Sequence, residues 1–432
     1  MEKRQNRVLI ITAYYPPCSL IGGQRPYKLS KHLIENGWDV TVITLQEDYT
    51  GPTDSALPPP VGIRVLRTKG IFVRHWLRRI AQKTPASITT SPISSPATAS
   101  LLLRILNNAR SLFHKFLNYC LRPFEFPDEW IGWKIYAKRI VPDERFDVVI
   151  ATIPPFSAAT IAREIAARHD TKLVIDYRDP WSDMFTKNIW ANDSRTVNKH
   201  ITEEQRCIEA ADMITTVSPT IANWIRSRAP LTPIHVIPQG ANLPITRASV
   251  ITHPVTLIYA GSLAYGRSLG LLLHAMKDLQ HEYTPNELTL IYCGPHGEHM
   301  KSQLSHYGVE RYAQILGNIK PSHVEAMLRG GIGVVIISPG YEYAYPGKLF
   351  ELISAGCPIL CIGSKSSAAA RLVLEHNLGW CIEDADFSGA TSVLRNLIDN
   401  DIPKPRNLEK LSTNTLMSEY ERALSNLVRA HS

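Results

Sequence analysis

Tyr345-Pro-Gly-Lys-Leu-Phe-Glu-Leu-Ile-Ser-Ala-Gly-Cys-Pro-Ile-Leu-Cys361 is the stretch whose reading decides the fold. Pro346 and Gly347 form a turn that frees backbone N–H groups. A helix is predicted from about Lys348 to Ala355, ended by Gly356 in the manner of a C′ glycine and stopped by Pro358. Residues 358–362 are a short apolar run and read as a buried strand. Lys348 and Glu351 are three apart and share a helix face. Lys348 lies in the first turn, where the helix dipole favours an anion over a cation. Two readings of that lysine stay open at this point. It forms an ordinary exposed pair with Glu351, or a bound anion such as a diphosphate accounts for it.

The same alternation of helix and strand extends in both directions. Residues 8–12 are a near-continuous apolar run, typical of a buried parallel strand. A loop containing Gly22 and Gly23 follows, then a helix over 24–35 closed by Asn36-Gly37, then a strand over 39–44. That is a βαβ unit. Further strands are predicted at 63–66, 147–151, 172–176, 213–216 and 235–237. A second series begins at residue 255, with strands near 287–292, 314–316, 333–337, 358–362 and Trp380. Two βα series of similar size predict two Rossmann-like domains, an α/β class. The boundaries expected are 1–245 and 250–405, with the junction near 242–253. A helical pattern closes the chain over 406–432.

The 432 residues are 44% apolar and carry a net charge of +8. The charge is concentrated. From Arg64 to Arg145 there are 15 Lys and Arg against 5 Asp and Glu, an excess larger than that of the whole chain. A basic stretch of this kind meets nucleic acid, anionic lipid or a phosphorylated substrate. No nucleic-acid motif accompanies it, so nucleic acid is not expected as a partner. An insert is expected at about 70–140. Within it, residues 82–100 are rich in Ser, Thr, Pro and Ala and read as a disordered loop. Residues 101–119 are amphipathic, with Leu102, Ile105, Leu106, Leu112, Phe113 and Phe116 on one face. They read either as an interfacial segment on anionic lipid or as core-packed helix with a solvated basic face.

The N-terminal residues lead straight into a strand, without the pattern of a leader peptide. No apolar run approaches the roughly 20 residues needed to span a bilayer. The seven cysteines are scattered, without a Cys-x-x-Cys pair. A reducing, cytoplasmic compartment follows from that usage. His296 and His299 are the nearest approach to metal-ligand spacing, and Asp384-Ala-Asp386 reads as a helix cap. No metal is expected.

Candidate ligand residues lie where strands end. Gly22 and Gly23 let backbone approach a ligand at a helix N-terminus. Asp176, Arg178 and Asp179, in Val174-Ile-Asp-Tyr-Arg-Asp-Pro-Trp-Ser-Asp183, fall at the C-terminal end of a strand, where open α/β sheets bind ligands. Asp179 is a candidate base or orienter of a hydroxyl. Gly261, Ser262 and Arg267 follow the first strand of the second series, Gly294 its second, and Gly317 its third. Arg267 can bind phosphate oxygens, whereas Ser262 offers a hydroxyl.

Pro346, Lys348, Glu351, Gly356 and Pro358 fill the pattern P-x-K-x-x-E-x-x-x-x-G-x-P. This resembles the donor-binding motif of GT-B glycosyltransferases of the family 4-like type, and more narrowly a bacterial surface-polysaccharide, fucosamine-transferase-like branch. The 259–268 loop resembles the family's G-x-L loop, 292–298 its strand and G-x-G loop, and 176–181 a D-x-R-D-x-W run of that branch. The resemblance implies two Rossmann-like domains facing across a cleft, with a C-terminal helix crossing back to the first. It implies that Glu351 binds the nucleotide ribose and that Lys348 and Arg267 lie near the diphosphate. Gly261, Ser262, Gly294, Gly317, Tyr345 and Gly347 would line the donor pocket, and Gly22, Gly23, Asp176 and Arg178 the acceptor side. The family's two glutamates are separated by seven residues, so the first stands eight positions before the second. Here Tyr343 stands where the first belongs, and Glu342 is one place off. Tyr341, Tyr343 and Tyr345 imply an aromatic, hydroxyl-lined sugar pocket.

The resemblance implies a retaining, metal-independent transferase of hexosyl or N-acetylhexosaminyl type, without a resident cofactor. A nucleotide-diphosphate sugar, a UDP-sugar foremost, is the co-substrate, and a saccharide or lipid-linked saccharide is the acceptor. A place at the inner face of the cell membrane accords with the basic insert. Two other classes stay open. A nucleotide-sugar epimerase of the same fold would convert donor without acceptor. A non-catalytic nucleotide-sugar-binding or scaffold protein would bind donor and never turn it over.

Overall fold

The computed structural model describes residues 4–72, 125–186, 194–242, 254–264, 266–399 and 403–430. The expected disordered and amphipathic stretches of the insert, and most of the expected junction, lie outside the described residues.

The fold is built on two parallel sheets. The first contains β1 (Arg7–Ile11), β2 (Asp39–Leu45), β3 (Arg64–Thr68), β4 (Val148–Ile153), β5 (Lys172–Tyr177), β6 (Met213–Thr216) and β7 (Ile234–Val236), in the order β3-β2-β1-β4-β5-β6-β7. The second contains β8 (Val255–Ala260), β9 (Leu288–Cys293), β10 (Ala313–Ile315), β11 (Ile332–Ile336), β12 (Ile359–Ile362) and β13 (Gly379–Ile382), in the order β10-β9-β8-β11-β12-β13. Both orders reverse direction once, between β1 and β4 and between β8 and β11. Register is continuous at the first reversal, with Leu9 level with Thr41 on one side and Val149 on the other. The two Rossmann-like sheets expected from the alternating pattern are present. By compactness the chain divides into Met1–Asp176 with Asp193–Met213, and Tyr177–Asn192 with Ile214–Ser432.

The pleat explains the second sheet's packing. Successive side chains point to opposite faces. Leu257, Tyr259, Val334, Ile336, Leu360 and Ile362 enter one core, and their neighbours Ile258, Val335, Ile337, Ile359 and Cys361 enter another. Both faces are therefore covered, as the unbroken apolar runs require. The Gly347–Ala355 helix belongs to the second core through Leu349, Phe350, Leu352 and Ile353. Burying one such side chain contributes about 1.5–3 kcal/mol. The exposed Lys348–Glu351 pair on its other side contributes about 0.2–0.5 kcal/mol. The apolar face, not the charges, holds this helix in place. Gly356 ends it at φ 72°.

The Thr413–Arg429 helix packs against β6 within the second unit. The Thr215 hydroxyl in β6 donates to the buried Tyr420 hydroxyl at 2.8 Å. The Asp384–Asp386 run is a cap, as expected. The Asp386 carboxylate accepts from the Gly389 N–H at 2.8 Å at the start of the Phe387–Asp399 helix.

In the first unit, His200 is 3% exposed on the Ser194–Ala210 helix and packs against Phe126 at 5.0 Å. Burial pushes its pKa down to about 4. The folded state thus binds fewer protons than the unfolded chain between the ordinary value near 6.5 and about 4. The stability His200 confers is complete above that window and declines as pH falls through it, by about 3 kcal/mol at most. The expected result is a urea midpoint that falls from pH 7 to pH 4 in the wild type. The fall should be smaller in His200→Leu. Parallel profiles for the two proteins would remove His200 as the cause.

Candidate functional site

The reversal between β8 and β11 places the loops that follow them side by side, and a crevice at such a point is where open parallel sheets bind ligands. The β8 loop is fixed by its own backbone. The Gly261 N–H donates to the Cys293 carbonyl at 2.8 Å, the Ala264 N–H to Ser262 Oγ at 3.1 Å, and the Tyr259 hydroxyl to the Ser262 carbonyl at 2.8 Å. Gly294, at the end of β9, lies against this loop. A Cβ there would stand 2.2 Å from the Gly261 carbonyl oxygen, so no side chain fits without parting the loops. The Leu263 N–H faces His296 Nδ1 at 3.3 Å, a further tie between the same loops. Arg267 crosses the reversal. Its Nε donates to Ser338 Oγ, on the loop after β11, at 3.1 Å.

Beyond Ser338 the β11 loop folds on itself. The Gly340 N–H donates to the Glu342 carboxylate at 2.9 Å, and the Glu342 carbonyl accepts from the Ala368 N–H at 2.7 Å. Glu342 is thereby engaged in shaping the loop. Tyr343 is 3% exposed, and its hydroxyl is buried without a hydrogen-bond partner among the described residues. Tyr345 packs edge-on against Phe350 at 5.6 Å, and burial pushes its hydroxyl up to about 12. The Gly347–Ala355 helix then starts with Pro346 at its N-cap and no side-chain cap. Lys348 Nζ donates to Glu351 Oε2 at 2.7 Å, both side chains about half exposed. Gly317 follows β10 at φ 65°, and the Leu316 N–H donates to the Tyr292 carbonyl at 2.9 Å.

In the first unit, Gly22 and Gly23 are buried at the start of the Gln24–Glu35 helix, whose N-cap, Gly23, supplies no side chain. Arg25, in the first turn, is 1% exposed. Its Nε and Nη2 donate to both oxygens of Asp176 at 2.7–3.0 Å, and the Thr152 hydroxyl donates to the same carboxylate at 2.9 Å. Asp176 is 2% exposed. Its carboxylate holds the helix start against β4 and β5, and the interior position reflects that pairing. Arg178 and Asp179 follow β5, fall in the segment that belongs to the second unit, and are half-buried. Burial raises the Asp179 pKa, with Arg178 opposing.

The structure therefore brings Gly261, Ser262, Gly294 and Arg267 into one bonded set, and pairs Lys348 with Glu351 at a neighbouring helix start. Asp176 joins the Gly22-Gly23 segment through Arg25. Sequence reasoning missed Arg25, Ser338 and the packing of His296. Arg25 left one signal: a cation in the first turn of a helix without an acidic residue there. Among the described residues, no group of three or more His, Cys, Asp or Glu could hold a metal ion. Among them, no helix is long and apolar enough to cross a membrane.

Comparison with known structures identifies the fold class. The lipopolysaccharide outer core galactosyltransferase WaaB in its apo form is 13% identical, with a TM-score of 0.59, over 97% of this chain and 99% of that one. The α,α-trehalose 6-phosphate synthase from Burkholderia multivorans is 11% identical, with a TM-score of 0.62, over 99% and 98%. Anabaena Alr3699/HepE in complex with UDP is 11% identical, with a TM-score of 0.55, over 98% and 100%. The fold is that of the GT-B glycosyltransferases: two Rossmann-like parallel sheets with α/β connections. Residues 107–243 match the family profile described as Glycosyltransferase Family 4. No curated protein matches.

Proposed function

We propose that this chain is a retaining glycosyltransferase that moves a sugar from a nucleotide-diphosphate sugar to a saccharide or lipid-linked saccharide in surface-polysaccharide synthesis. The donor is a UDP-sugar of hexosyl or N-acetylhexosaminyl type, and no metal is required. Residues 250–405 take the donor, 1–245 the acceptor, and 406–432 close the fold. The enzyme works in the cytoplasm at the inner membrane face, with the basic insert toward anionic lipid, and falls in the fucosamine-transferase-like branch.

The observation that carries this reading is Arg267 bridging the β8–β11 reversal to Ser338, beside a helix start without a side-chain cap. The Alr3699/HepE relative's complex with UDP supports a uridine nucleotide. In this mechanism Arg267 and Lys348 neutralise the charge that develops on the departing diphosphate, Glu351 holds the ribose, and Asp179 orients the acceptor hydroxyl. Displacement occurs on one face, and the diphosphate takes the acceptor proton. Lys348 must leave Glu351 to do this. An exposed pair is worth about 0.2–1 kcal/mol, whereas a hydrogen bond to a charged group is worth about 1.5–3 kcal/mol. The exchange favours the ligand.

The test is thermal stabilisation by UDP, GDP, ADP, TDP and CMP. A ligand at about 100 times its dissociation constant adds about 2.7 kcal/mol. Stabilisation by one diphosphate, lost in Glu351→Ala, is the expected result. Failure of all five would overturn the donor reading.

A further inference from the structure

We infer that Cys361 and Cys381 form an oxidation site, at which a hydroperoxide closes the two thiols into a disulfide and weakens the hold on the loop after β11. The consequence for ligand binding rests on the donor reading above; the thiol chemistry does not. Cys361 in β12 stands level with Cys381 in β13, and these strands are parallel neighbours. Level residues of parallel strands project to one face, and both thiols enter the same core of the second unit. Neighbouring strands lie about 4.7–4.9 Å apart, inside the roughly 4.4–6.8 Å that a disulfide spans between Cα atoms. The two thiols already meet, Cys361 donating a hydrogen bond to Cys381. The Cys381 thiol in turn donates to the Ala370 carbonyl at 3.6 Å.

The two sulfurs are unequal. Cys361 is fully buried, whereas Cys381 is 9% exposed on the edge strand of its sheet. The bond from Cys361 holds the Cys381 thiol below its ordinary value; burial opposes this, and the Lys365 charge adds to it. The thiolate is the nucleophile, so Cys381 reacts first. Its sulfur attacks one peroxide oxygen, the O–O bond breaks, and the departing hydroxide takes a proton from solvent to leave as water. The Cys361 sulfur then attacks the Cys381 sulfenic acid, the S–O bond breaks, and the hydroxide leaves as water with the Cys361 proton. Two thiols lose two electrons in all, and one hydrogen peroxide becomes two waters. The disulfide removes the proton that the Ala370 carbonyl accepts. That carbonyl belongs to the Ala368–Glu375 helix, whose Ala368 N–H donates to the Glu342 carbonyl at 2.7 Å. Glu342 shapes the loop that carries Ser338, the partner of Arg267.

Treatment of the whole protein with hydrogen peroxide, followed by alkylation and tryptic mapping, tests this. The expected product is a cross-link between peptides 349–365 and 372–395, reversed by dithiothreitol. Peptide 349–365 also carries Cys357, so Cys357→Ala should keep the cross-link and Cys361→Ala should lose it. The wild-type map needs no variant: free thiols at both positions after treatment, or sulfinic and sulfonic acids without the cross-link, overturn the inference. So does a cross-link that survives in Cys361→Ala. The oxidised wild type should bind the nucleoside diphosphate that stabilises the reduced protein at least about fivefold more weakly, and Cys381→Ala should show no further change on treatment. Equal affinity of the oxidised and reduced wild type overturns the control of the loop. If no nucleoside diphosphate stabilises the reduced protein, the donor reading fails, and the peptide map still decides the thiol pair.

Discussion

Replacement of Asp176 by alanine is expected to destabilise the protein by about 3–5 kcal/mol. Arg25 is 1% exposed, and three of the hydrogen bonds it makes go to that one carboxylate. Removing the acid takes from this buried guanidinium the carboxylate that pairs with it, and the cost is that of a buried charge losing its counter-charge as well as of the lost bonds. Urea denaturation is the measurement. The paired change Arg25→Met with Asp176→Leu should recover most of the loss, because apolar groups of similar volume often replace a buried ion pair without penalty. A loss below about 1 kcal/mol in Asp176→Ala would mean that water reaches the pair and that its burial is not what fixes the Gly22-Gly23 segment.

Arg267→Ala is expected to lower kcat by about 10²–10³, the scale for losing one preorganised group that stabilises transition-state charge. Lys348→Ala should cost at least about tenfold, because its ammonium is a mobile point charge rather than an anchored fork. Both variants should fold, since Arg267 is only partly buried and Lys348 is half exposed. Release of nucleoside diphosphate from donor in the presence of acceptor is the readout. Near-wild-type turnover in both would sink the roles assigned to them. Loss in Lys348→Ala alone would move the diphosphate toward the helix start and away from the β8 loop.

The sheets could be read from the sequence because parallel strands buried on both faces are unbroken apolar runs. Residues 8–11, 255–260 and 359–362 stood out for that reason. The helix at 347–355 was legible from its local stop signals, Gly356 and Pro358. The pairing of Lys348 with Glu351 was legible because three residues of helix bring them together. Arg25 and Lys348 pose the same puzzle, a cation in the first turn of a helix, yet the answers differ in kind. The partner of Lys348 is local, while that of Arg25 is 151 residues away. Nothing near either residue announces that pair. Arg267 and Ser338 are likewise joined only by strand order. Glu342, one place from the expected glutamate, turned out to be occupied by its own loop. Tyr343 could be read as an aromatic in the pocket, but its unpaired hydroxyl depends on which groups surround it after folding.

The hydrogen bond from Arg267 to Ser338 has an entropic side. A free arginine holds about 2 kcal/mol of rotamer freedom, most of which an anion must take away when it is captured. Here Nε is tethered before any ligand arrives, so part of that ordering is already complete in the folded chain. Affinity at this edge then depends less on immobilising a side chain and more on how well an incoming group matches a cation whose direction is set in advance.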